Sequence, residues 1–241
     1  MAQRKGKGTG RGPGGNPSIR WLTLAVAFGV LAAGLGIVLS QRGAAPGPAQ
    51  GPGTQIRTIN AEVEGTAAGP ADAPLTIEVY SDFQCIHCKT AAEKTLPPLM
   101  KDYVETGKVR VVYRFFPILG SESREAATAA FCAAEQNRFW PYHDLLFASQ
   151  KGIQSGAFSR GNLKRIAEQV GLDVAAWEAC LGQPKTQERI EADLASGRSY
   201  GVEGTPTFIL LPRDGVPHKA VGAVPYGDLK PFLDQLLGGS Q

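Results

Sequence analysis

Leu75-Thr76-Ile77-Glu78-Val79-Tyr80, then Ser81-Asp82-Phe83-Gln84, then Cys85-Ile86-His87-Cys88, is the stretch that decides the fold. Leu75–Tyr80 is rich in β-formers and follows a turn-like Asp72-Ala73-Pro74, so it reads as a strand. Cys85 comes directly after it. Cys88 to Val104 has a helical pattern, with Pro97 and Pro98 predicting a kink or break near Leu96. Lys108–Phe116 (KVRVVYRFF) is a second strand. The unit is β-α-β over about 40 residues, the length at which parallel strands with a right-handed crossover form.

A cysteine where a strand gives way to a helix meets unpaired backbone N–H groups and a partial positive charge. Both favour a thiolate, the reactive species in disulfide exchange, so Cys85 reads as the nucleophile. Cys88, one turn into the helix, is expected to be more buried and to reach Cys85 across the two intervening residues. His87 is expected to favour the thiolate by hydrogen bonding or positive charge, and stabilising the reduced form makes a disulfide more oxidising. Two other readings exist for Cys-x-x-Cys. One is half a zinc site completed by His143 or His218, but no second pair has metal-like spacing. The other is a structural disulfide. The redox reading is preferred and no metal is expected. Elsewhere, His143 reads as a packing residue, Trp140, Tyr142, Phe147 and Phe158 as core, and Lys89 and Lys94 as solvated helix positions.

Beyond the second strand the chain turns helical. Glu122–Asn137, Trp140–Ser149, Ser159–Val170, Asp173–Leu181 and Pro184–Ser199 all suit helices, with Ser159 and Asp173 as N-caps and Gly171 and Gly182 as stops. Strand patterns return at Thr207–Leu211 and near Lys219–Val224, and an amphipathic helix is expected over Tyr226–Leu237. The two β parts can form one sheet with the helical block inserted between them. Gly204-Thr205-Pro206-Thr207-Phe208 opens the returning strand. An isolated X-Pro bond is trans by base rate. Set against the Cys-x-x-Cys upstream, this one is expected to be cis, leaving backbone beside the sulfurs free to pair with an extended peptide.

Together these features resemble the DsbA-like branch of the thioredoxin superfamily. So do Ser81-Asp82-Phe83-Gln84-Cys85 and the run from Phe131-Cys132-Ala133-Ala134 through Phe139-Trp140-Pro141-Tyr142-His143-Asp144-Leu145-Leu146-Phe147. The resemblance covers roughly residues 60–240. It implies an α/β thioredoxin-like fold with an inserted all-helical domain at about 120–199. It makes Cys85 the attacking and Cys88 the resolving cysteine, with Thr205 and cis-Pro206 binding substrate opposite them. Ile86-His87 is similar to the Pro-His pair of strongly oxidising members. Many relatives carry a buried acid six residues before the first cysteine. Here Val79 stands there, and alternation sends neighbouring Glu78 to the other face. A carboxylate relay through Cys88 would need a strand bulge to bring Glu78 in, and Asp82 lies close to the loop. The family also implies that Cys132 and Cys180 form a second, structural disulfide. Two buried free thiols are the alternative reading.

The N-terminal part sets the expected compartment. Residues 1–42 hold six basic residues and no acid, leaving 19 Lys+Arg against 22 Asp+Glu in the rest, so the net charge of +3 comes from the tail. The folded part is therefore not expected to bind nucleic acid. Trp21–Leu39 is uncharged over 19 residues, long enough nearly to span a bilayer. Five basic residues precede it, which predicts a cytoplasmic N-terminus and an extracytoplasmic remainder, where disulfides persist. The run is longer than a signal-peptide core and no A-x-A site follows closely, so an uncleaved transmembrane anchor is preferred to a cleaved signal peptide. The expected layout is a basic tail at 1–20, the anchor at 21–39, a Gly/Pro/Ala linker at 40–54 and the catalytic domain at 55–241.

The expected function is an extracytoplasmic thiol–disulfide oxidoreductase that donates its Cys85–Cys88 disulfide to reduced exported proteins. The resemblance implies reoxidation by a quinone-linked membrane protein of the DsbB or vitamin K epoxide reductase type, with no soluble cofactor. Rival readings are an isomerase or reductase of the same fold, a membrane-tethered peptide-binding domain without catalysis, and a thioredoxin-like metal carrier.

Overall fold

The structure is a computed structural model that describes residues 56–238. The basic tail, the Trp21–Leu39 segment and the whole linker at 40–54 lie outside the described residues. Among the described residues no helix is long and apolar enough to cross a membrane.

A six-stranded sheet organises the domain in the order β1-β2-β4-β3-β5-β6. Its strands are β1 (Val63–Glu64), β2 (Ala67–Ala68), β3 (Leu75–Ser81), β4 (Val109–Phe115), β5 (Thr207–Pro212) and β6 (His218–Val221). β3 and β4 are parallel, as the β-α-β reading required, while β5 pairs antiparallel with the other edge of β3. The two halves of the sequence thus meet on one central strand, which is buried at six of its seven positions. The expected strand at Lys219–Val224 starts one residue earlier and ends three earlier, because Gly222 takes a positive φ of 88°. The short strands β1 and β2 were not expected. They extend the sheet past β4 with too few residues to show an alternation.

The kink or break expected near Leu96 takes the form of a change of helix type at that residue, without an interruption. The chain stays helical through four segments, Ile86–Thr90, Ala91–Thr95, Leu96–Leu99 and Met100–Val104, together called α1. The second and fourth are π-helical. The Leu96 N–H bonds back five residues to the Ala91 carbonyl, and Glu105 does the same to Met100. Pro97 and Pro98 cannot donate, and a widened turn just ahead of them lets the helix run on without their N–H groups.

The helical block comprises α2 (Ser121–Ala134), α3 (Phe139–Ser149), α4 (Arg160–Gln169), α5 (Val174–Leu181) and α6 (Pro184–Ser199), and α7 (Tyr226–Gly238) closes the described chain. Asp173 caps α5 through its side chain, accepting from the Ala176 N–H, whereas Ser159 caps α4 without a side-chain bond. Trp177, Phe139, Tyr142, Phe147 and Phe158 are fully buried. Each apolar side chain of this size contributes about 1.5–3 kcal/mol on burial. The Trp177 indole N–H also reaches the Ala129 carbonyl at 2.9 Å, which ties α5 to α2. A disulfide between Cys132 on α2 and Cys180 on α5 closes the same contact from the other end.

The sheet's two faces carry different chemistry. Glu78 points toward α6, where it accepts from the Tyr80 hydroxyl and pairs with Arg114, which also meets Asp193. β3 has no bulge, since its register with β4 and β5 is continuous. Glu78 therefore stays away from the cysteines, as alternation predicted.

Candidate active site

Cys85 is the N-cap residue of α1, with extended backbone (φ −77°, ψ 122°), and its carbonyl accepts the first helical hydrogen bond from the Lys89 N–H. Its sulfur therefore lies over the free amides of the helix start. The loop is braced from the helical block. Gln150 donates to the carbonyls of Phe83 (2.6 Å) and Cys85 (3.2 Å), and the Gln84 side chain bonds Ser123 and the Leu119 carbonyl. Gln84 belongs to the Ser81–Cys85 run quoted above, but the bracing role of both glutamines is visible only once the helical block is docked on the loop.

The Thr205–Pro206 bond is cis. The turn it makes brings the Thr205 carbonyl oxygen to 3.2 Å from Cys85 Sγ, across 120 residues of sequence. That carbonyl can accept only from the thiol, whereas the Thr205 hydroxyl favours the thiolate. Cys85, Cys88, Thr205 and Pro206 are thus brought together as the sequence reading required.

Both active-site cysteines are free thiols, and they ionise very differently. The Cys85 thiol is lowered to about 5, first by a hydrogen bond from Cys88, then by Thr205 and the backbone amides of Cys88 and His87, against an opposing cost of burial. Burial pushes the Cys88 thiol well up, and negative charge on Cys85 pushes it further. His87 acts on the sulfur through its backbone N–H, while its side chain is exposed. Its amide role follows from the N-cap position of Cys85 and would hold for other residues there.

The Asp82 backbone N–H approaches Cys88 Sγ at 3.4 Å. Its carboxylate faces away and accepts four hydrogen bonds, from Gln84 N, Ser123 Oγ, Ile118 N and Leu119 N, at 2.7–3.0 Å. Both oxygens are occupied in organising the loop. With Glu78 on the far face, no carboxylate among the described residues hydrogen-bonds to Cys88 as a relay.

The remaining candidates fall elsewhere. His143 is buried among aromatic rings with Nδ1 3.0 Å from Asp144, which Arg57 also pairs. His218 stacks edge-on against Phe232. Among the described residues no cluster of three His, Cys, Asp or Glu side chains could hold a metal. Lys89 faces Glu93 at 3.8 Å, and Lys94 is exposed.

A dithiol at a helix start, with a cis-proline turn against its outer sulfur and a helical block inserted between the sheet's halves, defines a thioredoxin-fold protein with an exchange-competent site. The comparisons agree. The model of the thioredoxin family matches residues 61–216, and the chain belongs to that family. It is 36% identical over 144 residues to Na(+)/H(+) antiporter NhaA 3 of Salinispora tropica, covering 59% of this chain but only 21% of the antiporter. It is 28% identical over 143 residues to the probable disulfide bond formation protein D of Bacillus anthracis, covering 58% of this chain and 66% of that protein. The crystal structure of oxidised BdbD from Bacillus subtilis superposes with a TM-score of 0.65 at 20% identity, covering 75% of this chain and 98% of that one.

Proposed function

We propose that this protein is a DsbA-like thiol–disulfide oxidoreductase that donates its Cys85–Cys88 disulfide to reduced exported proteins. The observation that carries the reading is the asymmetry of the two sulfurs. Cys85 ionises near pH 5 at the mouth of the site, while Cys88 is kept protonated beneath it. A stabilised thiolate favours the reduced form, so the disulfide gives itself up readily. A substrate thiolate attacks Cys85, Cys88 leaves, and a second substrate thiolate attacks the substrate sulfur of the mixed disulfide to release reduced enzyme. The Thr205–Pro206 turn holds the substrate chain beside the sulfurs. The relative from Bacillus anthracis, named for disulfide bond formation, supports this direction of flux.

In this reading Trp21–Leu39 anchors the protein in the membrane, with residues 1–20 in the cytoplasm and the thioredoxin domain outside. A quinone-linked membrane protein reoxidises Cys85 and Cys88.

The test is the reduction potential of Cys85–Cys88 in the full chain, in mild detergent, by equilibration against glutathione and thiol trapping. A value near about −120 mV supports donation, and one near about −270 mV overturns it in favour of a reductase.

A further inference from the structure

Tyr113 carries a buried hydroxyl that the packing does not use. Its side chain is 1% exposed, and its oxygen meets no hydrogen-bond partner among the described residues. The ring stacks on Phe83 (centroids 5.3 Å apart, planes 17° apart) and touches Phe139 and His143. A phenylalanine would fill this cage equally well. Keeping an unpaired hydroxyl in a core is costly, so its retention points to use outside packing.

Its surroundings indicate the use. Tyr113 pairs in register with Val79, the position where a strand carboxylate is missing, and Ser81 lies two residues further along the same face. Ser81 directly precedes Asp82, whose backbone N–H lies 3.4 Å from the Cys88 sulfur, and it shares the Tyr113 face of the sheet, so its hydroxyl stands between the two groups, and it favours the ionised form of each. The other charged or titratable groups near this pair are Cys85, Asp82 and Asp193, with the His143 ring against Tyr113. The Asp82 carboxylate is saturated by its loop contacts.

We propose that Ser81 and Tyr113 form a hydroxyl relay that stabilises the Cys88 thiolate when the Cys85–Cys88 disulfide opens, in the place a strand carboxylate would occupy. The inference rests on the exchange reading above. The attacking thiolate forms a bond to Cys85 Sγ, the Cys85–Cys88 bond breaks, and its electron pair leaves on Cys88 Sγ. Ser81 then donates to that anion, and Tyr113 donates to Ser81. The proton lost by the attacking thiol returns through solvent to Cys88. Burial keeps the Tyr113 phenol protonated far above neutral pH, so it stays a donor throughout. In this relay Ser81 is the direct donor to the Cys88 sulfur, and Tyr113 is a positioning residue acting through it.

The experiment uses the full chain in mild detergent, oxidised, with excess glutathione, following disulfide opening by rapid acid quench at several pH values. Tyr113→Phe is expected to open about three- to tenfold more slowly and Ser81→Ala about tenfold more slowly, with the double variant no slower than Ser81→Ala. Closing slows by the same factor, so the equilibrium with glutathione is unchanged. The melting temperature of Tyr113→Phe stays at or above that of the wild type. A Tyr113→Phe variant that opens at the wild-type rate overturns the relay. So does one whose slower opening comes with a lower melting temperature and an equal slowing of Cys85 alkylation, since that marks a packing role. A wild-type protein that forms no Cys85–Cys88 disulfide with oxidised glutathione sinks the exchange reading itself, a result distinct from either.

Discussion

The backbone N–H of Asp82 lies 3.4 Å from the sulfur of Cys88, while the carboxylate of the same residue turns the other way and binds four donors of the surrounding loops. One residue thus fixes the floor of the site and the approach to α2. Asp82→Ala strands those donors, three of them backbone amides. It is expected to lower stability by about 2–4 kcal/mol, read as a reduced urea midpoint with an unchanged m-value. An unchanged midpoint would show that water replaces the carboxylate freely.

Ionisation of Cys85 near pH 5 fixes the pH dependence of the site. Iodoacetamide labelling of reduced protein should rise with an inflection at about 5, with Cys88 unlabelled. The reduction potential should fall by about 59 mV per pH unit below that point and about 30 mV above it, because each proton in a two-electron couple contributes about 29.6 mV. The group is an acid with a depressed folded value. Its stabilising contribution is therefore complete above the ordinary 9.0 and is lost as pH falls through about 5. The reduced form should gain stability relative to Cys85→Ser across that window. A labelling inflection near 8.5 would refute the assignment.

Gly197 of α6 rests on the sheet face opposite the cysteines. A Cβ there would stand 2.5 Å from Phe116 Cε2 and 3.0 Å from Tyr80 Cδ1. Alanine gains about 1 kcal/mol of helix propensity, but both aromatic rings are buried and must shift. Gly197→Ala is expected to lose about 1–3 kcal/mol net by chemical denaturation, the overpacking cost outweighing the helix gain.

The Cys132–Cys180 bridge spans 48 residues, remote from Cys85 in sequence. Replacing both cysteines by alanine should cost up to about 4 kcal/mol in the loop-entropy account. The reduction potential of Cys85–Cys88 should stay unchanged. A shift in that potential would mean the helical block feels the redox state of its own bridge.

Elements whose information is local were legible in the sequence. Pro184–Ser199 was read with its observed bounds, because proline opens it and a continuous helical pattern fills it. Cys85 and Cys88 were legible from their neighbours along the chain, and the Thr205–Pro206 turn only in combination with them, since an X-Pro bond taken alone is trans by base rate. Contacts made across the sheet were not. Nothing in KVRVVYRFF indicates that Tyr113 pairs with Val79, since that register depends on how β4 docks on β3. Likewise the burial of Asp82 depends on the loop at Ile118 and Leu119, 36 residues away. The backbone N–H of His87, which favours the Cys85 thiolate, was not singled out, because that role comes with the start of a helix and not with the residue type.

The central strand β3 receives β5 only after the whole helical block has been made, and the Thr205 carbonyl meets Cys85 across 120 residues. During synthesis the reactive thiol is therefore delivered early and its guard late. While β5 is still missing, Cys85, Cys88, Cys132 and Cys180 are all present on an unfinished chain, and a catalyst of disulfide exchange is itself a substrate for mispairing. Docking α5 on α2 sets Cys132 against Cys180 before Thr207–Pro212 need be in place. The Cys132–Cys180 pair thus needs nothing from β5, whereas Cys85 gains its Thr205 contact only with the last part of the sheet.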